Sequence, residues 1–380
     1  MFLDKQDKKS LEYYGEMLKA VGSISRLFSD SSEPYIPYRV AENLFCKAFS
    51  AENLSRSDCS VDASKNKVGI GVKTFLEKNG NTMQKVAEFN SELSLFNKLP
   101  LKEKILKISE LRNERIEATK RIHGLDSVIY HCVTRKEGEI LAYETPMDLV
   151  QVKKIKNVKE NKNIISFKDG LNSYSFNVSK STLYKRFETK DVALRVEVKM
   201  LKSPFDSLEA MLKGSGVAEA LAPTREEACI FLPLYSEDKK GKFVGPKSGL
   251  NQWNAKGRPR NPNEVYIPIP AWIHRKFEGF FPAKDTPFEL ILPNGNRMSA
   301  KLCQDGSKAL MSDPNSALGE WLLRDVLDLK ERKLLTYKKL QEIGFDSVVI
   351  YKKSNSEFDI NFRKSGSYDE FSDENEESEE

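Results

Sequence analysis

The sequence has few of the residues on which several common chemistries depend. Only three histidines occur in 380 residues, and none belongs to a plausible catalytic pair, which argues against HNH-type and other histidine-based nucleophilic catalysis. The five cysteines lie far apart without a CxxC pair, so they predict neither a zinc site nor a disulfide framework. No P-loop or GxGxxG motif is present, which argues against an ATP-driven motor.

Long apolar runs are also missing. No stretch approaches the roughly 20 apolar residues of a membrane span, and the N-terminal segment MFLDKQDKKS lacks the apolar region of a signal peptide. We therefore expect no membrane partner, and the scattered cysteines make a reducing cytoplasm the simplest location. Hydrophobic content of 39% and charged content of 31% fit a globular protein, and the length allows two domains of ordinary size.

Basic residues are missing from one end of the chain. The last fifteen residues, GSYDEFSDENEESEE, contain eight acids and no base. The net charge of +5 is therefore the sum of −8 for this segment and +13 for residues 1–365, which are called the body here. Such a body suits a polyanion, of which nucleic acid is the commonest, although a solubilising surface with scattered lysines is the alternative. We expect residues 366–380 to form an acidic disordered tail that aids solubility, with competition against DNA as a second possible role.

The residue pattern predicts two domains that differ in secondary-structure content. Residues 1–190 read as helices around a small mixed sheet, an α+β or α/β domain, and 191–224 read as a connecting region. Within the first domain, SVDASKNKVGIGVKTFLEKNGNTMQKVAEFN reads as a β-hairpin followed by a helix. From 225 to 365, short strands separated by Pro, Gly and Asn turns predict a β-barrel or sandwich with one or two helices.

Charged side chains stand out around the hairpin. Asp62 and Lys73 are separated by a turn that would bring them onto adjacent strands, and Glu88 would lie on the following helix. Glu42 lies on an apolar stripe of its helix, which is costly unless it is paired or bound to metal. Carboxylates that hold Mg²⁺, together with a lysine, are what phosphodiester hydrolysis requires. Taken singly, each residue is better explained as a turn, strand-end or solvated helix residue; together, in this order and in a basic chain, they favour a catalytic site.

The same segment resembles the PD-(D/E)XK nucleases, whose core has an acid on one strand and acid-x-Lys on the next, after a helix that bears a glutamate. Asp62 and the GVK that ends in Lys73 match, but Gly71 occupies the place of the second acid. In some restriction enzymes this acid has moved to the next helix, at a distance similar to that of Glu88. The resemblance implies that Asp62 and Glu88 hold Mg²⁺, that Lys73 positions the water, and that Glu42 supports them. Glu42 is the next ligand if Glu88 is not one. Gly69 and Gly71 would leave room for a phosphate or metal.

A second conspicuous segment is GPKSGLNQWNAKGRPRNPNEVYIPIP. Asn pairs well with adenine and Arg with guanine in the major groove, whereas lysines suit phosphates. A polar surface loop with a packed tryptophan is the alternative. The residues with which we expect it to bind DNA are Asn251, Trp253, Asn254, Lys256, Arg258, Arg260 and Asn261.

This segment and the sequence up to about residue 330 resemble the C-terminal domain of NgoFVII-type restriction endonucleases, a pseudobarrel related to plant auxin-response-factor DNA-binding domains. The resemblance implies two arms that grip the major groove, with the second around 305–308 and 312–315, including Lys308 and Asn315. Some relatives carry a phospholipase-D-type nuclease. Its motif fails here, because His274 and Lys276 are followed by Phe281 where an aspartate is needed.

The combined prediction is a Mg²⁺-dependent, site-specific endonuclease of double-stranded DNA, a type II restriction enzyme. A homodimer would cut both strands, and a cognate DNA methyltransferase is implied. The alternative is a DNA-binding subunit without activity, which the missing acid at Gly71 favours; an RNA-processing nuclease fits the recognition domain less well.

A further basic segment contains Lys180, Lys185 and Arg186, which read as the start of a helix that could contact phosphates.

Overall fold

The computed structural model describes residues 1–55, 57–206 and 228–376. The chain forms two compact units. Within the described residues, the first unit contains 1–55, 60–90 and 125–206, and the second contains 57–59, 91–124 and 228–376. This division differs from the predicted boundaries in three respects: residues 57–59 join the second unit, residues 91–124 join it as well, and the first unit continues beyond residue 190.

Eight helices are labelled here in chain order. They are α1 (Lys8–Ser23), α2 (Tyr38–Phe49), α3 (Leu93–Phe96), α4 (Leu101–His123), α5 (Ala271–Lys276), α6 (Ala317–Gly319, continued as a π-helix over Glu320–Val326), α7 (Tyr337–Ile343) and α8 (Ser367–Glu376). Short 3-10 turns span Leu3–Lys5, Ser25–Leu27, Asn90–Glu92, Val152–Lys154, Gly249–Asn254 and Asp305–Ser307. No helix in the described parts of the chain is long and apolar enough to cross a bilayer.

The first unit contains a mixed sheet and an antiparallel sheet. The mixed sheet has the order β1 (Glu52–Asn53), β2 (Ala63–Lys65), β3 (Val68–Leu76), β5 (Ser127–Lys136), β6 (Glu139–Pro146) and β11 (Leu194–Glu197). Only β3 and β5 pair in parallel, and the other neighbours are antiparallel. The predicted hairpin is confirmed, because Asn66 and Lys67 adopt the left-handed conformation that a tight two-residue turn requires.

Helices α1 and α2 pack their apolar stripes against the mixed sheet. Tyr14, Phe45 and Phe49 form a buried aromatic cluster with ring centroids 4.9 to 6.2 Å apart. The helix on which Glu42 was predicted to lie is confirmed as α2, and it ends where Ser50 turns into the left-handed region. This packing fixes the face of α2 that carries Glu42.

The antiparallel sheet has the order β4 (Asn81–Glu88), β10 (Thr182–Glu188), β9 (Ser173–Asn177), β8 (Ile164–Lys168) and β7 (Lys156–Asn161). The predicted helix after the hairpin is wrong, because residues 81–88 form strand β4. The predicted helix start near Lys185 is likewise a strand. The two segments pair with each other along their whole lengths, and this pairing across about a hundred residues of sequence overrides their local preferences.

The second unit is built on a nearly closed, barrel-like sheet. Its order is β12 (Cys229–Pro233), β19 (Phe345–Lys352), β20 (Glu357–Lys364), β16 (Phe288–Ile291), β17 (Arg297–Cys303), β18 (Ala309–Ser312) and β15 (Ile267–Pro268). Cα atoms of the two end strands, β12 and β15, come within 8 Å of one another. A separate hairpin is formed by β13 (Ser236–Asp238) and β14 (Gly241–Phe243). The predicted barrel is therefore supported.

Helix α4 belongs to the core of the second unit, although the sequence placed it in the first domain. Ala118 and Ile122 are fully buried within the barrel's apolar cluster. The charged face of α4 also contacts this unit, because the Lys107 ammonium forms an ion pair at 2.9 Å with the Glu342 carboxylate of α7. The long helix is thus a structural part of the barrel unit.

The acidic C-terminal segment is not wholly disordered, contrary to the prediction for residues 366–380. Residues 367–376 form α8, whose Phe371 stacks on Phe231 and Phe277. Asp369 forms an ion pair with Lys242. Phe371, within the acidic run, makes the apolar contacts that hold α8 against the second unit, and the acidic composition of the segment gave no sign of them. Residues 377–380 lie outside the described part of the chain.

Candidate functional site

Three of the predicted catalytic residues gather in the first unit. Glu42 projects from α2, Asp62 directly precedes β2, and Lys73 lies on β3. The hairpin holds Asp62 in place from both sides: its backbone N–H donates to the Ile70 carbonyl at 2.8 Å, and its carboxylate accepts the Val72 N–H at 2.7 Å. The hairpin therefore places Asp62, one residue before β2, beside β3, the strand that carries Lys73.

The charges of this cluster act on one another. Burial raises the pKa of Asp62, while the nearby Lys73 ammonium, the Val72 N–H and the Arg39 guanidinium oppose the shift. Burial also raises the pKa of Glu42, as does the negative charge of Asp62, and Arg39 and Lys73 again oppose it. The negative charge of Asp62 disfavours the ionisation of Glu42, and a cation placed between the two carboxylates would be stabilised there.

Arg39 is a member of the cluster that the sequence reasoning missed. Its guanidinium lies 3.0 Å from the Glu42 carboxylate, one turn away on α2, and half of its side chain is exposed. A basic residue three positions before a glutamate was the available signal. Arg39 also donates to the Ser55 carbonyl at 3.4 Å, so it holds Glu42 against the segment that leads to the hairpin.

The structure does not bring Glu88 into this cluster. Its strand, β4, belongs to the other sheet, and its exposed carboxylate forms an ion pair with Lys85. Glu88 is also absent from the charges that shift the pKa values of Asp62 and Glu42. The expectation that Glu88 lies on a helix is therefore wrong.

The glycines beside Lys73 do not leave open space, contrary to the prediction. A Cβ atom on Gly71 would lie 2.8 Å from the Met147 methyl and 3.2 Å from the Tyr130 ring, and one on Gly69 would lie 2.7 Å from Leu125. A side chain at position 71 would therefore require the flexible Met147 side chain and the Tyr130 ring to shift. The Lys73 ammonium lies 6.0 Å from the centroid of the same Tyr130 ring.

Possible metal ligands are few. Among the described residues, no group of three or more His, Cys, Asp or Glu side chains is arranged to hold a metal ion. Mg²⁺ in nucleic-acid enzymes commonly takes one or two carboxylates, with water and substrate phosphates as the remaining ligands. Glu42 and Asp62 fit that smaller requirement.

In the second unit, some residues of the predicted DNA-binding segment 251–261, called the recognition loop here, are buried and others are exposed. Asn251 is fully buried; its amide donates to the Gly245 and Leu335 carbonyls, and its oxygen accepts the Leu335 N–H at 2.9 Å. Trp253 packs against the barrel core. In this structure both residues support the loop rather than present groups to a ligand, which agrees with the packing alternative for Trp253.

A buried carboxylate that the sequence reasoning missed, Glu264, organises the loop. Its side chain is 1% exposed, and it accepts two hydrogen bonds from Arg258, at 2.6 and 3.0 Å. It also forms an ion pair with Arg260 at 3.3 Å and accepts a hydrogen bond from Asn315 at 3.3 Å. Glu264 therefore links the first predicted arm to part of the second.

Arg260 is mostly buried and donates hydrogen bonds within the recognition loop. Its guanidinium donates to the Ala255 carbonyl at 2.7 Å and to the Lys256 carbonyl at 3.1 Å, and only 14% of its side chain is exposed. The predicted DNA-binding residues that remain exposed on the two arms are Asn254, Lys256, Arg258, Asn261, Lys308 and Asn315. These six side chains are accessible to a nucleic acid.

The comparisons with known proteins concern the second unit. Residues 230–354 match the model of the NgoFVII C-terminal B3-like DNA-binding domain. No curated protein matches the chain. Over the matched residues, the chain is similar to the DNA-binding domain of a restriction enzyme, and the barrel-like sheet agrees with a B3-like pseudobarrel. This similarity supports double-stranded DNA as the partner.

Proposed function

We propose that the chain is a sequence-specific, Mg²⁺-dependent endonuclease of double-stranded DNA, a type II restriction enzyme. The first unit would cut and the second would recognise the sequence. The observation that carries the proposal is the convergence of Glu42, Asp62 and Lys73 in a chain that also contains a restriction-enzyme-like DNA-binding domain.

The order of the elements supports a PD-(D/E)XK-like first unit. A helix that bears Glu42 precedes a strand entered through Asp62, and Lys73 follows on the next strand of a mixed sheet. Gly71 departs from the pattern, and a Cβ atom there would lie 2.8 Å from the Met147 methyl and 3.2 Å from the Tyr130 ring. With Glu88 on another sheet, we assign the second carboxylate to Glu42.

The proposed mechanism gives each side chain one task. Asp62 and Glu42 would hold Mg²⁺, which supplies a water of lowered pKa and neutralises charge that develops on the phosphate. The Lys73 ammonium would orient the attacking water and balance the charge of the scissile phosphate. Arg39, through its ion pair with Glu42, would fix that carboxylate towards Asp62. The water oxygen forms the new bond to phosphorus as one P–O ester bond breaks.

Two further elements of the proposal follow from the reaction. Cutting both strands of a duplex calls for two active sites, so we propose a homodimer on DNA. An enzyme that cuts unmodified DNA at a fixed sequence also implies a cognate methyltransferase that protects the host. Lys256, Asn261 and Lys308, which are exposed on the two arms, would contact the duplex.

The test is cleavage of a long unmethylated DNA by the full chain, with Mg²⁺ and with EDTA. Discrete fragments are expected only with Mg²⁺, and Lys73→Ala, Asp62→Asn and Glu42→Gln should each lower the rate by about 10²-fold or more. Glu88→Gln is the matched control, because its carboxylate lies outside the cluster, and it should cut like the wild type. Full cutting by Lys73→Ala would refute the proposal.

A non-catalytic DNA-binding subunit remains the second candidate, and the absent acid at Gly71 favours it. It predicts no cutting of any DNA with Mg²⁺, together with a salt-sensitive gel shift on the same DNA. The two candidates therefore give opposite results in one experiment.

A further inference from the structure

The outer face of the antiparallel sheet in the first unit is basic. In the strand register, Lys85 of β4 stands opposite Tyr184 of β10, which stands opposite Ser175 of β9. The same row continues through Ser166 of β8 to Lys159 of β7. Lysines thus occupy both ends of a row that crosses all five strands, with a tyrosine and two serines between them.

The neighbouring row has the same character. Lys156 of β7 stands opposite Lys168 of β8, which stands opposite Ser173 of β9, and Arg186 is two residues beyond Tyr184 on β10. Lys156, Lys168 and Arg186 are all exposed. Side chains alternate along a strand, so these residues share one face of the sheet.

The opposite face of the sheet is closed. Its side chains include Ile165, Phe167, Phe176, Leu183 and Phe187, all at most 1% exposed. Lys185, which the sequence offered as a phosphate contact, belongs to this buried face and lies 4.6 Å from the centroid of the Phe187 ring. Of the three residues in that prediction, Arg186 and Lys180 are exposed.

The charges on the outer face are poorly compensated. Within the described chain, Lys156, Lys159, Lys168 and Arg186 have no carboxylate within 4 Å, and the one hydrogen bond found for these four side chains joins Arg186 to Asn81 at 3.5 Å. Glu188, the acid at the end of β10, pairs with Lys190. Glu188 lies two residues beyond Arg186 on the same face, and its charge interacts with Arg186 as well as with Lys190. The cations of this face still outnumber its acids, so the face carries an excess of positive charge that a polyanion complements.

We propose that this face, defined by Lys156, Lys159, Lys168 and Arg186, binds the sugar–phosphate backbone of duplex DNA outside the recognition sequence. Five strands about 4.8 Å apart span roughly 19 Å, over which duplex DNA presents about eleven phosphate charges. Serine hydroxyls and Tyr184 in the same rows can donate to phosphate oxygens. The inference rests on the proposed function only for the identity of the partner as DNA.

The test compares two quadruple variants of the full chain. In the first, Lys156, Lys159, Lys168 and Arg186 are changed to Gln. In the matched control, Lys5, Lys9, Lys19 and Arg26, which are also exposed in the first unit, are changed to Gln. Fluorescence anisotropy with EDTA would give the affinity for a random duplex of about 40 base pairs, between roughly 50 and 200 mM salt.

The slope of log affinity against log salt should fall in magnitude by about 3 to 4 in the first variant and by less than about 1 in the control. An unchanged slope in the first variant, or an equal loss in the control, would overturn the proposal, as would tighter binding of the wild type to duplex RNA than to DNA. EDTA prevents metal-dependent cutting, so the slope is independent of catalysis. A slope difference without any cleavage in Mg²⁺ would support this face while refuting the nuclease.

Discussion

Asn251 offers the sharpest test of how the recognition loop works, because the sequence made it a base-reading residue and the structure buries it. Asn251→Ala removes the side-chain partner of two carbonyls and one N–H, at Gly245 and Leu335. A buried polar group left without a partner costs about 1–3 kcal/mol, and the contributions are not additive. The free energy of unfolding of the second unit should fall by about 3–5 kcal/mol.

Tryptophan fluorescence is a selective assay for this loss. All three tryptophans, Trp253, Trp272 and Trp321, lie in the second unit, so a guanidinium titration followed by their emission reports that unit. The expected result is a lower midpoint with an unchanged slope. Asn254→Ala is the matched control: Asn254 is exposed and makes one hydrogen bond, to the Pro246 carbonyl, so it should cost about 1 kcal/mol or less.

Two results would contradict this account of Asn251. If Asn251→Ala unfolds at the wild-type midpoint but no longer distinguishes DNA sequences, the side chain reads a base and the buried network contributes little. Equal losses of stability in the two variants would also contradict the structure, since burial would then make no difference.

Two further predictions concern the same unit. A Cβ atom on Gly319 would lie 2.0 Å from the Asn263 carbonyl oxygen. Gly319→Ala should therefore lower the free energy of unfolding of the second unit by about 3 kcal/mol or more, measured by the same guanidinium titration. A wild-type midpoint would show that the backbone at Asn263 moves aside without cost. Burial raises the pKa of Asp346 from 3.8 to about 6, so the folded unit keeps a proton that the unfolded chain loses. Its stability should fall by roughly 3 kcal/mol as the pH rises from about 4 to 6, and Asp346→Asn should flatten that dependence; an identical pH profile would contradict it.

Local patterns predicted the parts of the candidate site that are local in the structure. The hairpin and α2 follow from residues within one short stretch, so Glu42, Asp62 and Lys73 come together as expected. Glu88 was misplaced because β4 is made a strand by its pairing with β10, about a hundred residues later. No periodicity within residues 81–88 carries that information.

The recognition loop shows the same limit. Residue types predicted a polar, DNA-facing segment, and the family similarity supports that at the level of the domain. The inward orientation of Asn251 depends on Leu335, which is 84 residues away. Glu264 gives no signal in the sequence either, because only the folded loop shows that two arginines and Asn315 converge on it.

The membership of α4 in the second unit has a consequence for any attempt to divide the protein. The chain leaves the first unit at residue 90, builds a helix of the other core, and returns at 125. A truncation after residue 206 would leave the barrel without Ala118 and Ile122, and would leave their apolar face on the remaining fragment exposed to water. An exchange of the barrel unit between related chains would therefore need three crossover points, at 90/91, at 124/125 and before residue 228, with residues 91–124 transplanted together with the barrel.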